Sequence, residues 1–338
     1  MSTIPIEIIS SLIPSLSETF HKGSMGRIAV IGGSTLYTGG PYFAGITALK
    51  IGADLVHIFC TKNAGTAIKS YSPDLIVHPI LMSEEEIKNE IAKSKLRNEE
   101  ETAEGIEKKI VENITSWLDK LGGLIIGPGL GRDPKVINQV EKIILSAKEK
   151  KVPMVIDADG LFIITQNKEL IKGNENVIIT PNKMEFWRLQ NSLFPEEKQE
   201  PNPKENPKKV FDLQKEMENV KKMSEKLGNV TVLKKGFNDI ISNGKNTRIC
   251  NFLGSSRRVS GQGDILSGAI GVFLNWFNLD SPKKSQINKE IGIPIVAGYA
   301  GCLITRKCNS LAFSKKKRSM TTSDMISEVG IAFESFFD

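Results

Sequence analysis

The chain has 338 residues, of which 40% are hydrophobic and 25% charged, and a formal net charge of +6. This is an ordinary balance for a globular protein of one large or two smaller α/β domains. The four cysteines (60, 250, 302, 308) form no C-x-x-C pair and the three histidines (21, 57, 78) are scattered, which excludes a zinc module. The mild positive charge suits an enzyme of anionic ligands, and surplus surface lysines explain it equally well.

Residues 1–20 carry Glu7 and Glu18 but no Lys or Arg. That fits neither a secretory signal nor a mitochondrial presequence. No apolar run approaches the roughly 20 residues of a membrane span. The expectation is a cytoplasmic protein with its thiols reduced.

Short apolar runs then alternate with helical stretches. Arg27–Ile31, Leu55–Phe59, Leu124–Ile126, Val152–Ile156, Val177–Ile179 and Val230–Leu233 read as strands. Several lack polar alternation, as expected of strands covered by helices on both faces. The pattern predicts an α/β fold with a mostly parallel central sheet flanked by helices. Near the end, Ile240-Ile241 and Arg248–Cys250 flank Asn243-Gly244 and predict an antiparallel hairpin. Two segments read as insertions into a single domain spanning 1–338. Residues 83–120 are Glu- and Lys-rich with helical spacing, and 195–209 hold four prolines among polar residues. Lys315–Arg318 reads as a solvated basic loop in place of a nucleic-acid patch.

Ligands of such sheets gather beyond the carboxyl ends of strands, and five loops sit there. Gly32-Gly33-Ser34, continuing to Thr38–Pro41, is neither a Walker A loop nor a G-x-G-x-x-G. Gly127–Asp133 alternates three glycines, for a close approach or for a tight turn. Asp157 and Asp159 suit a metal, a hydroxyl or a helix cap. Asn182 and Glu185, three apart, suit hydrated Mg²⁺ near phosphates or a capping box. Lys235 and Gly236 lie where a nucleotide could be met, or form a plain turn. Finally, Gly254–Gly268 joins a glycine-rich turn to an apolar helix with one carboxylate, Asp264, at its start. Backbone N–H groups there favour anions. Asp264 therefore reads as a base for the hydroxyl that attacks a phosphoryl group, or as an N-cap.

In this order the motifs resemble the ribokinase-like superfamily, and within it the ATP-dependent NAD(P)H-hydrate dehydratases. The resemblance runs from His21–Ile28, through Tyr37–Phe43, Tyr71–His78, Gly127–Asp133, Asp157–Gly160, Thr180–Phe186, Lys235–Asp239 and Gly254–Gly268, to Arg318–Asp324. His21–Arg27 and Gly254–Asp264 look most like eukaryotic members. The resemblance implies a ribokinase-like three-layer fold. It implies that Gly129, Asn182, Lys183, Met184, Glu185, Phe186, Trp187 and Arg188 contact the hydrated dinucleotide. For ATP it implies Lys235, Gly236, Phe237, Asn238 and Asp239. It adds Gly254, Ser255, Ser256, Arg257, Arg258, Val259 and Ser260, with Gly261, Gln262 and Gly263 as the anion hole. Asp264 would sit beside the substrate hydroxyl as catalytic base. Ser260 departs from the glycine usual in eukaryotic relatives.

The implied reaction is ATP-dependent dehydration of (S)-NADHX or (S)-NADPHX, NADH or NADPH hydrated across one ring double bond. It would proceed through a phosphorylated intermediate with ATP and Mg²⁺. The metal ligands are not legible. A separate epimerase would interconvert the substrate epimers, and sheet-edge strands leave homo-oligomers open. No nucleic-acid or membrane partner is expected. The competing reading is a small-alcohol kinase of the same fold; a non-catalytic nucleotide binder is a further alternative.

Overall fold

A computed structural model describes residues 3–18, 21–94, 99–197, 202, 212–279 and 281–337. Most of the 195–209 segment lies outside the described residues.

Nine strands form one sheet: β1 Arg27–Ile31, β2 Leu55–Thr61, β3 Ile76–Leu81, β4 Gly123–Ile126, β5 Met154–Ile156, β6 Val177–Ile179, β7 Thr231–Lys234, β8 Asp239–Ser242 and β9 Thr247–Cys250. They lie in the order β3-β2-β1-β4-β5-β6-β7-β8-β9. Pairing is parallel from β3 through β7, and antiparallel for β7–β8 and β8–β9. The expected hairpin is the β8–β9 pair.

Strand residues alternate between two cores. Ile28, Val30, Ile125, Val155, Ile178 and Leu233 enter one cluster. Ala29, Ile31, Leu124, Ile126, Met154, Ile156, Val177, Ile179 and Val232 enter the other. Both faces are apolar because both are covered. Helices Gly39–Ile51, Gln262–Asn278 and Ile293–Lys316 contribute to the first core. Helices Pro134–Glu149, Asp159–Gln166, Lys183–Leu193 and Leu213–Lys226 contribute to the second. Residues 83–120 contain the helices Glu84–Ser94 and Glu99–Thr115, and Ile110 and Ile114 of the latter are buried in that second core.

Strand β3 was not among the expected strands. Pro79 within it lacks an amide hydrogen, and such a run is tolerated at a sheet edge, where β3 lies. The ladder to β2 shifts register at Cys60/Thr61, opposite Pro79 and Leu81.

This edge also unites two histidines that look scattered in the sequence. His57 Nδ1 lies 2.9 Å from His78 Nε2, with Trp117 packed against both rings. Burial, then His78, then Arg27 push the His57 pKa down to about 4 from 6.5. The buried Nε2 of His57 has no hydrogen-bond partner. Below pH 6.5 the unfolded chain takes up a proton here that the native state refuses until about pH 4. Stability is therefore expected to fall across that window, by about 2 kcal/mol from this residue. Urea unfolding of the natural chain and of His57→Phe at pH 7 and pH 4.5 checks this. An equal acid loss in both proteins would remove His57 as the cause.

All four cysteines are buried and free. Among the described residues no single helix is long and apolar enough to cross a membrane, and no group of three or more His, Cys, Asp or Glu could hold a metal.

Candidate active site

The strand order reverses direction between β1 and β4, which opens a crevice beyond their carboxyl ends. The loops after β1, β4, β5, β6 and β7 all lie at this end of the sheet. Gly127, directly after β4, has φ +118°, and a Cβ on it would stand 1.9 Å from the Asp157 carbonyl. Glycine is required there because the β4 and β5 loops touch through their backbones. The result is that Gly127–Asp133 and Asp157–Gly160 form one continuous floor.

Ala158 has φ +49° and ψ −122°, a conformation unfavourable for a residue with a Cβ. This twist sends its neighbours apart. Asp157 Oδ1 accepts from Lys235 Nζ at 2.7 Å. Asp159 instead accepts from the Gly131 amide at 3.0 Å and meets Arg132 Nε at 3.5 Å. Neither caps the helix Asp159–Gln166. The two aspartates therefore serve two different loops.

Asp264 is not a cap either. Helix Gln262–Asn278 has Gly261 as its N-cap residue, in the left-handed conformation at φ +90°. Asp264 is the third residue of that helix, and its carboxylate makes no hydrogen bond with any described residue. A Cβ on Gly40 would come within 3.4 Å of Asp264 Oδ1, and within 3.0 Å of the Gly129 amide nitrogen. Burial, then the negative charge of Asp157, push the Asp264 pKa up to about 7 from 3.8, against the opposing pull of Lys235. An unpartnered carboxyl that titrates near neutrality suits proton transfer.

Two chambers meet at Gly261–Asp264. The first, about 1010 Å³, is lined by residues including Ser34, Tyr37, Gly40, Gly129, Arg132 and Asp264. The second, about 1020 Å³, is lined among others by Lys235, Phe237, Gly254, Arg258, Gln262 and Gly263. Ser260 and Gly261 face the first chamber, and Gln262 and Gly263 the second. Most of the expected nucleotide residues gather around this second cavity, since Gly236, Asp239, Ser255, Ser256 and Val259 line it too, but Ser260 and Gly261 line the first chamber and Asn238 and Arg257 line neither.

The residues expected at the dinucleotide divide. Gly129 lines the first chamber, whereas Asn182, Lys183 and Met184 line the second. Asn182 caps the helix Lys183–Leu193 through the Met184 and Glu185 amides, and Glu185 Oε2 accepts from the Asn182 amide at 2.7 Å. The capping box is therefore real. Burial pushes the Glu185 carboxyl up, with Lys235 opposing it. Phe186 is a core residue, 2% exposed, beneath the Lys234 ammonium. Trp187 is half-buried, and Arg188 is exposed.

Two side chains that carry no sequence signal organise the second chamber. Arg306 donates from Nε to Asp239 at 2.7 Å, from Nη2 to the Gly236 and Phe237 carbonyls, and from Nη1 to the Phe252 carbonyl. Asn309, three residues later on the same helix face, accepts from the Ser255 amide and donates to the Arg257 carbonyl. Together they hold the Gly236–Asp239 and Gly254–Arg257 loops. Asp239 is thus a brace: its Oδ1 accepts from the Gly236 amide at 3.0 Å. Ser260 does not adopt positive φ, so its backbone needs no glycine. The Thr322 hydroxyl donates to its carbonyl.

Comparison with known proteins places this arrangement. A family model described as NAD(P)H-hydrate dehydratase matches residues 28–330. The chain belongs to the NAD(P)H-hydrate dehydratase family. It is 42% identical to the ATP-dependent (S)-NAD(P)H-hydrate dehydratase of Rattus norvegicus, over 98% of this chain and 85% of that one. Against the Homo sapiens protein of the same name it is 41% identical, over 98% and 84% of the two chains. The crystal structure of the ADP/ATP-dependent NAD(P)H-hydrate dehydratase from Bacillus subtilis, co-crystallised with ATP and Mg²⁺, superposes with a TM-score of 0.65 at 18% identity. That match covers 99% of this chain and all of that one. An Enterococcus faecalis protein of the ribokinase-like superfamily superposes with a TM-score of 0.68 at 19% identity, over 98% of this chain and 95% of that one. The dehydratase thus has the ribokinase-like fold that its sequence implies. It is an ATP-dependent carbon–oxygen lyase.

Proposed function

We propose that ATP-dependent dehydration of (S)-NADHX and (S)-NADPHX proceeds here by phosphorylation and elimination, with Asp264 as the base, in one ribokinase-like domain. The observation that carries this reading is the position of Asp264, an unpartnered carboxylate on the partition between two chambers. The hydrate occupies the chamber of Gly129 and Asp264, and ATP occupies the chamber of Lys235 and Gly263. Asp264 takes the proton of the ring hydroxyl as its oxygen bonds to the γ-phosphorus, and the bond to ADP breaks. Amides of Gly261–Gly263 at the helix N-terminus, together with Lys235, stabilise the charge on the transferring group. The bond from the ring carbon to the phosphate oxygen then breaks, pushed by the ring nitrogen lone pair, and inorganic phosphate leaves. Loss of a proton from the adjacent ring carbon gives NAD(P)H, alongside ADP and phosphate.

Mg²⁺ fits this donor set. The protein offers no three-ligand cage among its described residues, but Mg²⁺ beside phosphates needs only one or two carboxylates. Asp157, whose Oδ2 would lie 3.6 Å from a Cβ on Gly263 of the phosphate loop, and Glu185 would hold it. When bound it neutralises charge on the phosphates. The four free thiols suit a reducing, cytoplasmic setting, and a separate epimerase would supply the S epimer.

Purified protein with (S)-NADHX, ATP and Mg²⁺ is expected to restore the reduced-nicotinamide absorbance, with one ADP and one phosphate per NADH. A stable phosphorylated alcohol without restored absorbance would establish the kinase reading instead. With Asp264 at about 7, kcat/KM should rise as pH increases through 7, because the base must be ionised. A flat profile between pH 6 and 8 would remove Asp264 from that role.

A further inference from the structure

We infer that Arg132 is the positioning residue for the pyrophosphate of the dinucleotide hydrate. The inference rests on the first chamber being the substrate site. That chamber is acidic: Glu85, Asp133, Asp159 and Asp264 line it, and Arg132 is the one cation among its lining residues. Its substrate nevertheless carries at least two negative phosphates. An anion entering such a cavity needs a fixed counter-charge, and Arg132 is the group present to supply it.

The guanidinium is built for this task. Its Nε forms an ion pair with Asp159 Oδ1 at 3.5 Å, and its Cζ stands over the Phe162 ring, 4.4 Å from the centroid. Asp159 is itself fixed by the Gly131 amide. One side of the guanidinium is therefore paired, while Nη1 and Nη2 make no hydrogen bond with any described residue. The side chain is 57% exposed, so the anchoring does not bury it. A planar fork held at Nε, with two free donor groups, matches bidentate contact to phosphate oxygens. Gly129, three residues away, lines the same cavity together with Asp264.

Arg132→Ala and Arg132→Lys test the assignment against (S)-NADHX, (S)-NADPHX and the hydrate of reduced nicotinamide riboside, which has no phosphate. Arg132→Ala is expected to raise KM about tenfold for both dinucleotides, with kcat within about twofold and KM for ATP unchanged. Arg132→Lys should recover part of the loss, since a point charge replaces the fork. On the phosphate-free riboside, wild type and both variants should have equal kcat/KM. Equal loss on the riboside would show a merely structural role and overturn the inference. So would an unchanged KM for (S)-NADHX, or a loss confined to (S)-NADPHX, which would make Arg132 a reader of the 2′-phosphate. A wild type inactive on every hydrate would instead refute the functional reading beneath it.

Discussion

Asp264→Asn is expected to lower kcat about a thousandfold while ATP binds with unchanged affinity. Asparagine keeps the shape of the side chain but cannot accept the hydroxyl proton at neutral pH. The structure separates this from a folding defect. The Asp264 carboxylate makes no hydrogen bond to lose, and the helix it belongs to is capped at Gly261 without its help. Its charge is opposed by burial and by Asp157. The amide removes both penalties, so the variant should melt at the same temperature or higher. The same neutralisation should abolish the rise in rate through pH 7. Calorimetric titration with ATP, thermal melting and single-turnover kinetics measure the three consequences. Turnover within about threefold of the natural enzyme would eliminate Asp264 as the base. A lower melting temperature would mean that the carboxylate supports the fold in a way its contacts do not reveal.

How much of this was legible in the sequence follows from the range of each interaction. Strands β1, β2 and β4 to β7 declare themselves because burial on both faces leaves a continuous apolar run. The hairpin does so through Asn243-Gly244. Strand β3 stays hidden, since its partly exposed Ile76 and its proline belong to an edge. At the site, the glycine-rich turn before Asp264 is a local signal, and it identifies the helix N-terminus. Whether Asp264 is a cap or a free carboxyl is not local, and only the left-handed Gly261 decides it. Arg306 and Asn309 sit within a long apolar helix and look like any polar residues there. Their roles arise because that helix passes under loops more than 50 residues away in the chain. The division of the Asn182–Arg188 run from Gly129 is equally tertiary. The first touches the second chamber through its capped end, and Gly129 lines the first chamber from the loop after β4, two strands earlier in the chain.

Lys235→Met is expected to cost about 3 kcal/mol of stability and to weaken ATP binding as well, two effects that one further substitution separates. Lys235 and Asp157 are paired at 2.7 Å, with side chains only 19% and 2% exposed. Asp157 is the largest influence raising the ammonium's pKa, against the cost of burial. Removing the lysine leaves the aspartate charged and buried without a partner, or forces it to take a proton. Either outcome is costly, because breaking one side of a buried pair exposes the full desolvation penalty of the other. Replacing both charges avoids it. The double variant Lys235→Met with Asp157→Asn should therefore regain most of the lost stability in urea unfolding. It should not regain ATP affinity, because the ammonium that would meet the phosphates is still missing and one of the two carboxylates that would hold Mg²⁺ is gone as well. A double variant no more stable than the single would mean that the pair is not the source of the loss. Recovery of ATP affinity alongside stability would instead assign Lys235 to holding Asp157 in place, and leave contact with the phosphates to the amides of Gly261–Gly263.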